Sequence, residues 1–244
     1  MRSIAVTIRL LAVAAVVLLA YGLGRRLGGT RPEPQTAHSL GGAVEADTAA
    51  IRRTETLKRI EDYDTYLPAM LAQDDSLLRR WPDRTAHPVA VYLPDRSTVP
   101  GYTPDMGAAV KRAFERWERV AAIPVRFEFV PDSTAADVKV HWISAFPIRR
   151  TGQADVTWNG MGWIVRGTLT LATHTNSHWL LTDDAVYTIA LHEIGHLLGL
   201  GHSDDPHDVM YPSTGVHDVT LRDRLTAQLL YTLPPGSLKH TARH

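Results

Sequence analysis

The stretch that decides the fold is LHEIGHLLGLGH, residues 191–202. If its first part is helical, the four-residue spacing of His192 and His196 places both imidazoles on one helix face. Two neutral imidazoles held side by side suit a zinc ion, which accepts nitrogen ligands in a tetrahedral arrangement. Glu193 directly follows the first histidine, so its carboxylate flanks the metal and can take a proton from an attacking water.

A glycine after the second histidine predicts the end of this helix. Gly199 can enter left-handed backbone space without a steric cost, so the chain can turn there and bring His202 back to the ion. Three protein ligands leave a fourth position open, which is typical of a catalytic zinc. The alternative is an amphipathic helix whose histidines lie on the surface or pack in the core, and the added glycine, third histidine and downstream methionine disfavour it.

The same stretch, followed by VMYP at residues 209–212, resembles the metzincin zinc peptidases. Ser203 after the third histidine and the turn at residues 210–212 are similar to the matrixins, the matrix-metalloproteinase branch. The resemblance implies one catalytic zinc on the three histidines, Glu193 as general base, and Met210 as a hydrophobic floor beneath the metal, with Gly199 supporting the site.

The fold that this resemblance implies is α+β: a zincin-like catalytic domain with a twisted, mostly parallel sheet, two long helices, and a small C-terminal lobe after the methionine turn. Hydrophobic periodicity and helix caps predict elements in an order that agrees with it. They are a strand at 89–93, a helix from Thr103 and Pro104 to Ala121, strands at 125–130, 137–142, 155–158 and 164–171, the active-site helix from about Thr182, and a last helix at 221–231.

In that family an edge strand before the active-site helix aligns the substrate backbone by antiparallel pairing. The resemblance implies that residues 166–171 are this strand, with Gly167, Thr168 and Leu169 as candidates for substrate contact. Extended binding of this kind restricts such enzymes to unfolded or flexible segments, because a helix cannot add to a sheet edge.

The chain also departs from the family pattern. It has no cysteine, so the cysteine that many matrixin propeptides place on the zinc is missing. No histidine lies in 144–153, where a structural zinc site is expected, so His141, His174 and His178 are not expected to hold a second metal. Carboxylates in 204–208 could bind Ca²⁺, but without an EF-hand-like pattern a solvated loop is favoured. The residues after Pro212 differ too, which leaves pocket preference open.

Composition excludes some functions. The 244 residues carry 26 basic and 26 acidic side chains, so bulk charge favours neither nucleic acid nor an anionic membrane as a partner. A hydrophobic fraction of 44% is ordinary for a globular domain. The expected partner is a peptide or protein substrate, and a monomer is expected.

The N-terminus predicts targeting. Residues 10–23 form an apolar run preceded by Arg2 and Arg9, which fits a signal peptide or, counted from residue 4 to 24, an uncleaved membrane anchor. The anchor is favoured slightly, and the catalytic domain is expected outside the cytoplasm. The predicted organisation is 1–24 signal or anchor, 25–85 flexible spacer and helical N-terminal segment, 86–235 matrixin-like domain, and 236–244 tail.

Three functions remain at this point. The first is a zinc-dependent endopeptidase. The second is a membrane-tethered, zinc-containing peptide-binding module without turnover, which the intact Glu193 disfavours. The third is a zinc amidase acting on a non-peptide amide. The methionine turn fits the endopeptidase best.

Overall fold

A computed structural model of the chain describes residues 51–52, 54–73, 77–213 and 215–238. The predicted signal or anchor at 1–24, the spacer up to residue 50 and the tail from 239 lie outside the described residues. Within the described ranges, no helix has the length and apolar character needed to cross a membrane.

The centre of the fold is a five-stranded sheet with the order β3-β2-β4-β6-β5. Strands β2, β3, β4 and β6 are parallel, and β5 pairs antiparallel with β6. The strands are β1 Leu77–Leu78, β2 Arg84–Tyr92, β3 Val125–Phe129, β4 Val138–Ile143, β5 Gly152–Trp158, β6 Ile164–Ala172 and β7 Gly236–Ser237. The helices are α1 Leu67–Gln73, α2 Pro104–Ala121, α3 Asp183–Leu197 and α4 Leu221–Thr232. The α+β prediction with a mostly parallel sheet is confirmed.

The two long helices begin where the sequence predicts. Thr103 caps α2 by accepting the Met106 N–H, and Pro104 occupies the first helical turn. Thr182 caps α3 by accepting the Ala185 N–H. The helices pack against each other, and the buried indole N–H of Trp117 donates to a carbonyl of α3. This contact fixes the active-site helix against the core.

Two strands begin earlier in the chain than the sequence predicts. The first was predicted at 89–93, but β2 runs from Arg84 to Tyr92, with a register shift between Arg84 and Val89. Pro88 has no N–H to donate to the ladder, so pairing is irregular there without ending the strand. Strand β5 was predicted from residue 155 and begins at Gly152.

The residues upstream of 86 belong to the same hydrophobic core as the sheet. Residues 54–61 are helical and α1 follows them. Short strand β1 pairs antiparallel with β7 beyond the last helix. The side chains contributed to the core are Ile60, Tyr66, Leu67, Met70, Leu71, Leu78 and Trp81. The packed unit therefore extends upstream of the predicted opening of the catalytic domain.

Candidate metal centre

Two histidines lie one turn apart on α3, and the backbone fixes their tautomers. The Nδ1 of His192 lies 2.7 Å from the Val209 carbonyl oxygen, and the Nδ1 of His196 lies 2.8 Å from that of Leu200. A carbonyl oxygen can only accept, so each Nδ1 carries the proton and each Nε2 presents a lone pair. Nδ1–H bonds of this kind orient metal-ligating imidazoles.

The unprotonated Nε2 atoms of His192 and His196 point toward each other and are 3.1 Å apart. The ring centroid of His202 lies 5.4 Å from that of His192 and 4.8 Å from that of His196. Ligand atoms of the three residues all fall within 4.8 Å of one another. Two lone pairs facing each other at this distance repel unless a cation lies between them. Nitrogens on one tetrahedral zinc would be about 3.3 Å apart, so the residues fit zinc.

Burial keeps these imidazoles neutral. It lowers the pKa of His192, opposed by the hydrogen bond to Val209. Burial, with the neighbouring His192 adding to it, lowers the pKa of His196 to about 3. Neutral imidazole is the form that binds a metal, so both histidines are in the ligating state at neutral pH.

Glu193 of α3 is 8% exposed, and its side chain lies against the edge strand at Gly152. Burial raises its pKa to about 7, while the charge of Arg150 and a hydrogen bond from the Ala154 N–H lower it. The strand comes this close because residue 152 is glycine. A Cβ at Gly152 would lie 2.6 Å from Ile189 Cγ2 and 2.7 Å from Glu193 Oε1.

Glycines also shape the turn after the helix. Gly199 has φ +96°, and a Cβ there would overlap the Arg79 carbonyl oxygen. The positive φ and the close approach both require glycine. The turn then carries the chain to His202, as the sequence predicts. It also carries the Leu200 carbonyl to the His196 ring.

The methionine turn lies against the same helix. Met210 is fully buried, and a Cβ at Gly195 would overlap its Sδ atom. The N–H of Ser203 donates to the Met210 carbonyl at 2.9 Å, so the turn is tied to the segment that carries His202. Met210 therefore packs beside the ligand-bearing turn of α3.

The prediction that Gly167, Thr168 and Leu169 lie on an edge strand is wrong. They lie on β6, which pairs with β4 on one side and β5 on the other, so their strand is interior. Gly167 instead lies under the end of α3, where a Cβ would come within 2.8 Å of Leu197 Cδ2. The free edge on this side of the sheet belongs to β5.

Two of the three carboxylates in the 204–208 loop contact an arginine from α4. Arg222 pairs with Asp208 at 2.7 Å and with Asp204 at 2.8 Å, and its guanidinium also donates to Ser203. This network lowers the pKa of Asp204. The loop is therefore anchored by a protein cation. Among the described residues, the three histidines are the one group of three or more side chains placed to hold a metal.

Sequence reasoning missed several supporting residues. Asp223 is fully buried at the start of α4 and accepts from the Val209 N–H at 3.0 Å and the Thr220 N–H at 2.9 Å. The indole of Trp81 donates to the Leu197 carbonyl at 2.8 Å. The Thr220-x-x-Asp223 spacing is a sequence signal for a capping box, but it does not reveal that Asp223 also holds the methionine turn.

The histidines and Glu193 open into a cleft of about 930 Å³. One wall is the run from Arg149 to Asp155, which leads into and along β5. The other includes α3 and the turn at Pro212. Trp179, 74% exposed, lies at the rim. The cleft thus joins a candidate zinc site, a buried carboxylate and a free strand edge.

Comparison with known proteins agrees with this geometry. A family model described as matrixin matches residues 95–232. Over 152 residues, the chain is 32% identical to metalloendoproteinase 1-MMP of Arabidopsis thaliana; this alignment covers 52% of this chain and 38% of that protein. It is 27% identical over 155 residues to metalloendoproteinase 1 of Glycine max (55% and 45%), and 26% identical over 137 residues to macrophage metalloelastase of Oryctolagus cuniculus (50% and 28%).

The chain spans less than half the length of these curated relatives. The family model, however, covers more than half of this chain and includes α3, the three histidines and the methionine turn. On that match, the chain belongs to the matrixin family.

Proposed function

We propose that this chain is a zinc-dependent endopeptidase that hydrolyses extended protein segments outside the cytoplasm. The observation that carries the proposal is the convergence of two Nε2 lone pairs, 3.1 Å apart, beside a buried Glu193 in an open cleft. The names of the relatives, which are metalloendoproteinases and a metalloelastase, support the same reaction class.

His192, His196 and His202 would hold the zinc. Bound there, zinc would polarise the scissile carbonyl and promote the nucleophilicity of a water near neutral pH. Glu193 takes the proton of the attacking water and passes it to the leaving amine. A carboxylate whose burial brings its pKa to about 7 suits both halves of this transfer near neutral pH.

We assign substrate alignment to β5. Residues 152–155 of β5 line the cleft, and backbone pairing at the outer edge of this strand would hold a peptide extended across Glu193. The Ala154 N–H, which donates to Glu193, links that edge to the general base. The substrate would be a flexible or unfolded segment. An N-terminal signal or anchor at residues 1–24 would place this chemistry outside the cytoplasm, with the anchor favoured.

The test uses the full chain, with zinc stoichiometry by metal analysis and cleavage of a quenched peptide library with and without chelator. We expect about one zinc per chain and chelator-sensitive cleavage. Glu193→Ala should keep the zinc and lose at least about 100-fold in kcat/KM. Glu128→Ala, on the opposite edge strand, is the control and should match the wild type. An active Glu193→Ala protein would rule out the assigned base, and absence of zinc would overturn the proposal.

A further inference from the structure

We propose that Arg150, with Arg149 beside it, makes this cleft select substrates that carry an acidic side chain near the scissile bond. The inference rests on the proposed peptidase function and names its substrate class. It depends on the position of two adjacent arginines just before the edge strand and on the lack of an ion pair at either of them among the described residues.

Both arginines lie on the cleft wall next to the buried carboxylate. They line the same cavity as Glu193 and the three histidines. Gly152, two residues after Arg150, brings the chain into contact with α3 at Ile189 and Glu193. The Arg150 charge is close enough to Glu193 to lower the pKa of that carboxyl. A peptide lying along β5 would therefore pass these guanidinium groups within a few residues of the reacting carbonyl.

The guanidinium of Arg150 is oriented by a hydrogen bond to a neutral side chain and not by an ion pair. Its Nη1 donates to the Gln153 side-chain oxygen at 2.7 Å, and the Gln153 amide nitrogen donates to both Asp155 oxygens, at 2.8 Å and 3.0 Å. Gln153 thus separates the arginine from the nearest carboxylate on the strand. Among the described residues, no carboxylate forms an ion pair with Arg149 or Arg150.

This arrangement suits a carboxylate ligand. Arg150 has five N–H donors in a planar fork, and the Gln153 bond uses one of them. A Glu or Asp side chain of the substrate could accept two parallel hydrogen bonds from the remaining donors. Asp155, farther along the strand, would repel an acid placed opposite it. The cleft should therefore accept an acidic residue at one end of β5 and not at the other.

The experiment uses the full chain and quenched peptides derived from one cleaved sequence. Each pair of peptides differs by Glu or Gln at one position on either side of the scissile bond. For the wild type we expect the Glu peptide to have about fivefold higher kcat/KM at one position, the effect of a partly exposed ion pair, and less preference at high salt. Arg150→Gln should reduce this ratio to about one; because Arg150 also acts on Glu193, the measurement compares the Glu and Gln peptides within each variant and not the absolute rates of the two proteins.

Arg126→Gln, exposed on β3 at the opposite sheet edge, is the matched control and should keep the wild-type ratio. A ratio of one at every position in the wild type, or an unchanged ratio in Arg150→Gln, would overturn the proposal. If no peptide is cleaved, the peptidase assignment fails separately. Fluorescence anisotropy of the same labelled peptides then decides, because tighter binding of the Glu peptide that Arg150→Gln abolishes supports selection, and equal binding refutes it.

Discussion

The carboxylate of Asp223 accepts a hydrogen bond from the N–H of Val209 at 3.0 Å, and the carbonyl of Val209 accepts the Nδ1–H of His192 at 2.7 Å. A buried acid on the last helix thereby orients a candidate zinc ligand on the active-site helix. The backbone of Val209 transmits the contact, so the methionine turn orients the ligand as well as packing against its helix.

The first prediction follows from this relationship. Asp223→Asn keeps the side-chain shape but replaces one carboxylate oxygen by an NH₂ group, which then faces either the N–H groups of Val209 and Thr220 or the N–H of Met210. At least one buried donor loses its acceptor, so we expect the free energy of unfolding to fall by about 2 to 4 kcal/mol and zinc affinity to fall about tenfold. Chemical denaturation and competitive zinc titration measure the two effects.

Asp184→Asn is the control for Asp223→Asn. It removes the same charge from an exposed first-turn position of α3 and should change stability by less than about 1 kcal/mol. If both variants bind zinc like the wild type, Asp223 has no part in orienting His192.

The second prediction concerns the approach of the edge strand to α3. Gly152→Ala would place a methyl group 2.6 Å from Ile189 Cγ2 and 2.7 Å from Glu193 Oε1, so the strand or the base must shift. A displacement of about 1 Å at a reacting group can cost about 100-fold in rate. We expect kcat/KM to fall at least tenfold with zinc stoichiometry unchanged, as measured by peptide cleavage and metal analysis.

Gly160→Ala is the matched control, because a Cβ at that position meets nothing within 4 Å. It should cleave at the wild-type rate. Equal rates for the two alanine variants would mean that the strand can retreat from Glu193 without cost to catalysis.

The sequence predicted the candidate zinc ligands better than the residues that hold them in position. Spacing alone placed His192 and His196 on one face, and Gly199 at the turn, because these are local properties of a helix and its end. It wrongly placed the sheet edge at Gly167 and its neighbours, because which strand forms an edge depends on pairing between distant segments. The hydrogen bonds of Asp223 to Val209 and of Trp81 to Leu197 join residues that are 14 and 116 positions apart in the chain, and no local pattern encodes them.

The third prediction is that a chain beginning at residue 86, the predicted start of the catalytic domain, does not fold. A chain starting there lacks seven side chains that are buried in the core, and each contributes about 1.5 to 3 kcal/mol. The sum is comparable with the entire stability of a typical domain, about 5 to 15 kcal/mol. The missing side chains are Ile60, Tyr66, Leu67, Met70, Leu71, Leu78 and Trp81.

We therefore expect residues 51–244 to unfold cooperatively on heating and residues 86–244 to show no cooperative transition by circular dichroism. Within the longer chain, Trp81→Phe should cost about 1 to 2 kcal/mol, because the Leu197 carbonyl loses its donor. Trp179→Phe, at an exposed indole, should cost less than about 0.5 kcal/mol. A stable, cooperative 86–244 chain would contradict the assignment of the upstream residues to the core.

The fourth prediction is a loss of stability at alkaline pH that depends on Tyr66. Burial, followed by the charge of Asp223 and the hydrogen bond to it, raises the pKa of the Tyr66 phenol well above its ordinary value. The folded chain keeps this proton at a pH where the unfolded chain releases it. The stabilisation is therefore complete below about pH 10 and is lost progressively as the pH rises above it.

Tyr66→Phe removes this titration. It should lower stability at neutral pH by about 1 kcal/mol through the lost hydrogen bond, and it should flatten the decline in the free energy of unfolding between about pH 10 and 11. Urea denaturation at several pH values measures the slope. Tyr63→Phe is the matched control, because its phenol is exposed in the folded chain and reaches water in both states. A wild-type slope in Tyr66→Phe would assign the alkaline transition to another group.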